Sequence, residues 1–118
     1  HLEQLMGLGR RCLHAESGRK DALCSLFNQV YTQYMMMEGG NEEPRLNVFA
    51  MSEENRWHLF IFPRKTHRPS QYFAEDETYR MVSPGAIDMA GGIVLPRRED
   101  FDLVDAKEIL DVFSQVSL

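Results

Sequence analysis

The sequence predicts an α+β domain, an antiparallel four-stranded sheet with flanking helices. Three observations predict it. Apolar residues recur at helical spacing over 23–34, the period falls to two across 46–62, and helical spacing returns from residue 99.

At 118 residues the chain is long enough for one domain and one core, spanning 1–118. Leu2, Leu5, Met6, Cys12 and Leu13 follow helical spacing, although Gly7 and Gly9 weaken that helix and Ser17-Gly18 ends it. The second helix, 19–37, is clearer. Leu23, Leu26, Phe27, Val30, Tyr31 and Tyr34 form one i, i+3, i+4 stripe, and Met35, Met36 and Met37 make a pliable apolar end. Gly39-Gly40 stops it, and Asn41 to Pro44 connect onward.

Leu46 to Met51 and Trp57 to Phe62 read as a hairpin across a polar turn, Ser52-Glu53-Glu54-Asn55. Trp57, Leu59 and Ile61 share one face of the second strand; His58, Phe60 and Phe62 share the other. Both faces are largely apolar, so cover is expected on both. After Pro63 comes a charged loop, 64–78. Tyr79 to Val82 reads as a third strand, Ser83-Pro84-Gly85 as a turn, and Ile87 to Leu95 as a fourth strand with Gly91-Gly92 as a bulge. Phe101 and Val104 suit a short helix. Asp105 to Glu108 resemble a capping box ahead of Ile109, Leu110, Val112, Phe113 and Val116, giving a helix over 105–117.

Composition excludes several classes. With 43% hydrophobic and 26% charged residues the chain is globular rather than disordered. No apolar run reaches the ~20 residues that span a bilayer, so no membrane partner is expected. A net charge of −5 repels phosphate backbones, which argues against nucleic acid and makes any anion site local. Cys12 and Cys24 show no metal or redox spacing and read as buried thiols of a cytoplasmic protein. The first residue is His rather than Met, which points to a trimmed chain or a piece of something longer.

Chemistry concentrates in Phe60-Ile61-Phe62-Pro63-Arg64-Lys65-Thr66-His67-Arg68-Pro69. Arg64, Lys65, His67 and Arg68 leave the end of an apolar strand, and guanidinium forks with an ammonium suit a nucleotide or sugar phosphate. The same run also reads as a solvated loop whose cations pair with Glu75, Asp76 and Glu77, the commoner case for a charge run. A second stretch, Ser83 to Gly92, is rich in small residues yet is neither G-x-G-x-x-G nor a P-loop. Asp88 within it needs a partner, such as an arginine of 64–68. His1, His14, His58 and His67 show no H-x-x-x-H or H-x-H spacing, so no metal and no cofactor is expected. No nucleophile, base and orienting group assemble.

Leu46-Asn47-Val48-Phe49, Trp57 to Arg64, and Ser83 to Gly91 together resemble the C-terminal domain of the diadenosine tetraphosphate phosphorylases. The blocks are similar also to GDP-hexose phosphorylases and, more remotely, to galactose-1-phosphate uridylyltransferase. The match covers roughly residues 45 to 105. The resemblance implies a histidine-triad-like half domain of a nucleotidyltransferase. Such enzymes form a covalent intermediate on a histidine in a His-x-His-x-His/Gln stretch of the N-terminal half. This sequence has no such stretch, so no catalytic residue is assigned, and the resemblance implies a scaffold and substrate wall. Ser83-Pro84-Gly85 stands where some relatives have an asparagine.

The leading expectation is the C-terminal part of a nucleotidyltransferase or phosphorylase, with 64–68 nearest the phosphates and a separate N-terminal catalytic half as partner. The alternative is a non-catalytic interaction module that pairs with a second copy. If helices 19–37 and 105–117 share one sheet face, the bare face favours dimerisation.

Overall fold

The computed structural model describes residues 2–7, 9–40 and 42–118, with side chains from residue 9 onward. His1 and Asn41, and the side chains of Leu2, Leu5 and Met6, lie outside the described residues.

The N-terminal segment forms a hairpin, where helical spacing predicted a helix. Strands β1 (Leu2–Gly7) and β2 (Arg10–Ser17) pair antiparallel. Gly9 turns the chain at φ 73°, and a Cβ there would stand 3.3 Å from the backbone of Leu110 and Ser114. The turn thus needs glycine both for its conformation and for its close approach to the C-terminal helix. β2 carries no strand signature in its sequence because it is covered on both sides. Cys12 and Ala15 are both buried and point to opposite faces, which erases the polar–apolar alternation that marks a half-exposed strand.

Helix α1 (Lys20–Met37) follows and buries Leu23 and Val30 from the expected stripe. Gly39 and Gly40, at φ 91° and 77°, close it by donating to the Met36 and Met35 carbonyls at 3.2 and 2.9 Å. Met36 and Met37 are exposed.

Strands β3 (Leu46–Glu53) and β4 (Arg56–Pro63) form the expected hairpin, but its turn has two residues rather than four. Glu54 and Asn55 both have positive φ, 52° and 62°, as a type I′ turn requires. The strands pair antiparallel in the order β1-β2-β4-β3, with β2 joined to β4 by Leu13↔Ile61, His14↔Phe60, Ala15↔Leu59 and Glu16↔His58.

The strands expected at 79–82 and 87–95 are absent. Backbone donors of the first segment are taken by other partners: Met81 N–H donates to Asp100 Oδ2 at 3.0 Å and Arg80 N–H to the Gln71 carbonyl at 3.0 Å. The second begins with one helical turn, α3 (Ala86–Met89), after a short helix α2 (Ser70–Phe73). Asp88 then organises the loop, accepting from Gly85 N–H at 3.0 Å and Val94 N–H at 2.9 Å. Apolar composition alone suggested a strand; the carboxylate's local hydrogen bonds won.

Helix α4 (Arg98–Leu103) buries Asp100, not Phe101, which is exposed. Asp100 takes the Arg97 guanidinium in a two-pronged pair at 2.9 and 3.0 Å. Helix α5 (Ala106–Val116) starts as predicted, with the Asp105 carboxylate accepting from Glu108 N–H at 2.9 Å.

Strand parity places α1 and α5 on opposite sides of the sheet. Cys12 and Phe62 pack with Met89, Phe113 and Val116 on one face. The opposite face, carrying Ala15, Leu59 and Ile61, lies under α1. The two helices therefore do not share one face, although Val48, Phe49, Met51 and Trp57 remain exposed on the sheet. Ile61 and Phe62 are buried from both sides, while Trp57 at the other end of β4 is partly exposed. No helix among the described residues is long and apolar enough to cross a membrane.

Candidate functional site: a cationic cleft at the end of β4

Pro63 ends β4, and the chain leaves it toward α5. Arg64 forms an isolated bridge with Ser117, and Lys65 N–H donates to the Val116 carbonyl at 2.9 Å. This short annealing to the end of α5 positions the four cationic candidates.

Arg64 does not lie on the surface, as the phosphate-ligand expectation had it. It is 1% exposed, and its five N–H donors meet five neutral acceptors. Nε donates to Val116 O at 3.3 Å, and Nη2 donates to Thr66 O at 3.1 Å and His67 O at 2.8 Å. Nη1 donates to Pro84 O at 2.7 Å and to Asn47 Oδ1. Burial pushes its pKa down, and the nearby charge of Asp88 opposes that shift. The arginine partner expected for Asp88 is thus within electrostatic reach, although the carboxylate's hydrogen bonds go to Gly85 and Val94. Arg64 shapes the following loop by gathering its carbonyls.

Lys65, His67 and Arg68 are exposed and line an open cleft of about 620 Å3. Its other walls come from Arg45 and Asn47 at the start of β3, Phe73, and Ser83 to Gly85. The two stretches singled out in the sequence therefore meet in one cleft. Arg68 is braced from two sides, with Nε donating to Ser83 Oγ at 3.2 Å and the guanidinium 4.3 Å above the Tyr72 ring. Among the described residues no ion pair joins Lys65, His67 or Arg68 to Glu75, Asp76 or Glu77. Asp76 instead holds Thr78 at 2.5 and 2.9 Å.

Arg45 escaped the sequence reading. It follows Pro44, far from the 64–68 run in sequence, and pairs with Glu38 at 3.3 Å on the cleft's edge. Only the β3–β4 register, which sets Leu46 against Pro63, brings it beside Lys65. Three cationic side chains, one of them paired with Glu38, thus gather with His67 on one concavity in a chain of net charge −5.

A second cluster lies on the sheet itself. His14, Glu16 and His58 offer three donor atoms all within 4.8 Å of one another. Linear spacing could not reveal it, because His14 and His58 stand 44 positions apart and meet through β2–β4 pairing. His14 lies on a strand, within the segment where helical spacing predicted a helix. Of the two cysteines, only Cys24 departs from expectation. Cys12 is buried, and burial pushes its thiol pKa up, whereas Cys24 is exposed; both are free.

No similar curated protein and no similar solved structure was found. The family model described as "GDPGP1-like, C-terminal domain" matches residues 1–118, a phosphorylase-like domain family consistent with the three sequence blocks that converge on Arg64. The chain belongs to the GDPGP1-like C-terminal domain family.

Proposed function

We propose that this chain is the C-terminal, substrate-binding domain of a GDP-hexose phosphorylase-like nucleotidyltransferase and that its cleft takes a nucleotide or sugar phosphate. Kinship with diadenosine tetraphosphate phosphorylase and galactose-1-phosphate uridylyltransferase belongs to the same proposal. The observation that carries it is the convergence of Arg45, Lys65, His67 and Arg68 on one open cleft. Lys65, His67 and Arg68 are the ligand-contacting residues, Arg45 joins them, and Arg64 positions their loop from beneath. The covalent histidine is supplied from outside this chain, since 1–118 holds no His-x-His-x-His/Gln stretch.

Titration with a nucleoside diphosphate, followed by NMR, tests the reading. Amide shifts should cluster at 65–68 and 83–85, and binding should weaken steeply with salt because much of its energy is Coulombic. Shifts scattered elsewhere, unaltered by Lys65→Ala and Arg68→Ala, would leave a solvated loop.

A second reading, an interaction module that pairs with another copy, draws on one observation. An apolar cavity of about 510 Å3 opens between α1 and β3–β4, lined by Leu23, Phe27, Val48 and Trp57 among others. A single monomeric species at high micromolar concentration in analytical ultracentrifugation counts against it.

A further inference from the structure

Outside the cleft, one side-chain cluster has the chemistry of a ligand set. Alternation along β2 puts His14 and Glu16 on the face that carries Cys12, and the pairing Glu16↔His58 puts His58 on that same face. The β2–β4 register thus sets two imidazoles and a carboxylate side by side. All three residues are half-buried, with the side chains of His58 and Glu16 16% and 30% exposed, so the site is partly desolvated yet open to an ion from solution.

The distances suit a shared ion. His14 Nε2 and His58 Nδ1 are 3.0 Å apart, and Glu16 Oε2 is 3.5 Å from the same His58 nitrogen. Donors that each sit ~2.0–2.1 Å from a tetrahedral zinc ion stand about 3.3–3.4 Å from one another. The two separations bracket that value and the third, between His14 and Glu16, lies within 4.8 Å, so an ion would displace the proton of the His14–His58 hydrogen bond and draw the carboxylate inward.

The donors are also held in place. The His14 ring stacks on Phe60 with centroids 4.6 Å apart and planes 12° from parallel, and the His14 and His58 rings lie within 3° of parallel. Arg56 reaches the other carboxylate oxygen of Glu16, Oε1, at 3.5 Å, which leaves Oε2 turned toward His58. A cation on the outer oxygen that orients the inner one is the kind of support that tunes metal ligands.

From this juxtaposition on β2 and β4 we infer that His14, Glu16 and His58 form a binding site for a first-row divalent transition-metal ion. Two imidazoles with a single carboxylate select zinc and its neighbours over calcium or magnesium, which favour all-oxygen shells. The three ligands among the described residues occupy three positions of a tetrahedral ion, and the fourth goes to water or a further group. The site is separate from the cleft, none of whose lining residues belongs to it.

Calorimetric titration of the 118-residue chain with Zn2+ tests the inference, with Co2+ absorption as a readout of coordination. The expected result is saturable binding of one ion per chain and visible bands of four-coordinate cobalt. His14→Ala and His58→Ala should each weaken binding roughly tenfold or more. Cys24→Ser, which removes the exposed thiol, should leave it unchanged. NMR of the unaltered chain gives an independent check: Zn2+ should shift the imidazole signals of His14 and His58 and spare those of His67. Absence of saturable binding, affinity indifferent to both histidine substitutions, or affinity abolished by Cys24→Ser would each overturn the assignment.

Discussion

The Arg64 guanidinium donates to the Pro84 carbonyl across 2.7 Å, and the same nitrogen reaches Asn47 Oδ1. One buried side chain thereby joins the start of β3, the end of β4 and the turn before α3. These are the three sequence blocks that carry the family resemblance. Their shared arginine acts on architecture, since every donor it has is used inside the protein.

Arg64→Ala should therefore unfold or severely weaken the domain. It strands five buried or half-buried acceptors, a loss of about 3 kcal/mol or more. Arg64→Lys should recover little, because an ammonium cannot present the planar five-donor fork. Urea denaturation decides it, and an unchanged midpoint in Arg64→Ala would contradict the role assigned here.

Asp100 should make the domain acid-sensitive. Burial pushes its pKa up, but hydrogen bonds from Arg97 and from Met81 N–H, with the charges of Arg97 and Arg80, outweigh that and hold it below the usual carboxylate value. The depressed pKa contributes stability that is fully present above about pH 4, the ordinary Asp value, and is lost as pH falls through the folded value. Asp100→Asn should cost roughly 1–3 kcal/mol at neutral pH and flatten the acid limb of stability against pH. Equal slopes below pH 4 in both proteins would rule this out.

The β3–β4 turn should be improvable. Glu54 and Asn55 occupy left-handed conformations, and glutamate gains nothing there from its side chain. Replacing the pair by Asn-Gly, the preferred type I′ sequence, should raise stability by about 1 kcal/mol. A lowered melting temperature would show that the turn's side chains matter in a way the backbone does not reveal.

The chain by itself should transfer no nucleotidyl group, because no residue within it stands in a His-x-His-x-His/Gln stretch. Turnover by the purified chain that survives His67→Ala would refute this. Turnover lost with His67→Ala would refute it equally, by making His67 the nucleophile.

Several elements were determined by local sequence alone. The α1 stripe with its two glycines, the β3–β4 hairpin and the Asp105 cap of α5 each rest on contacts between residues close in the chain. Propensity and pattern suffice there, because the winning interactions are short-range. Tertiary structure decided the rest. Arg10–Ser17 is a strand because it has β1 on one side and β4 on the other, so its apolar positions face both layers and show no strand period. Residues 79–82 and 87–95 form no strands because their backbone donors go elsewhere, Met81 to Asp100, Val94 to Asp88 and most others to nearby carbonyls, in place of a ladder. The sequence flagged Lys65, His67 and Arg68 by their local density of charge. Arg45 joined them, Arg64 withdrew inward, and His14 met His58 only through strand register and burial, which link positions far apart and leave no mark on linear spacing.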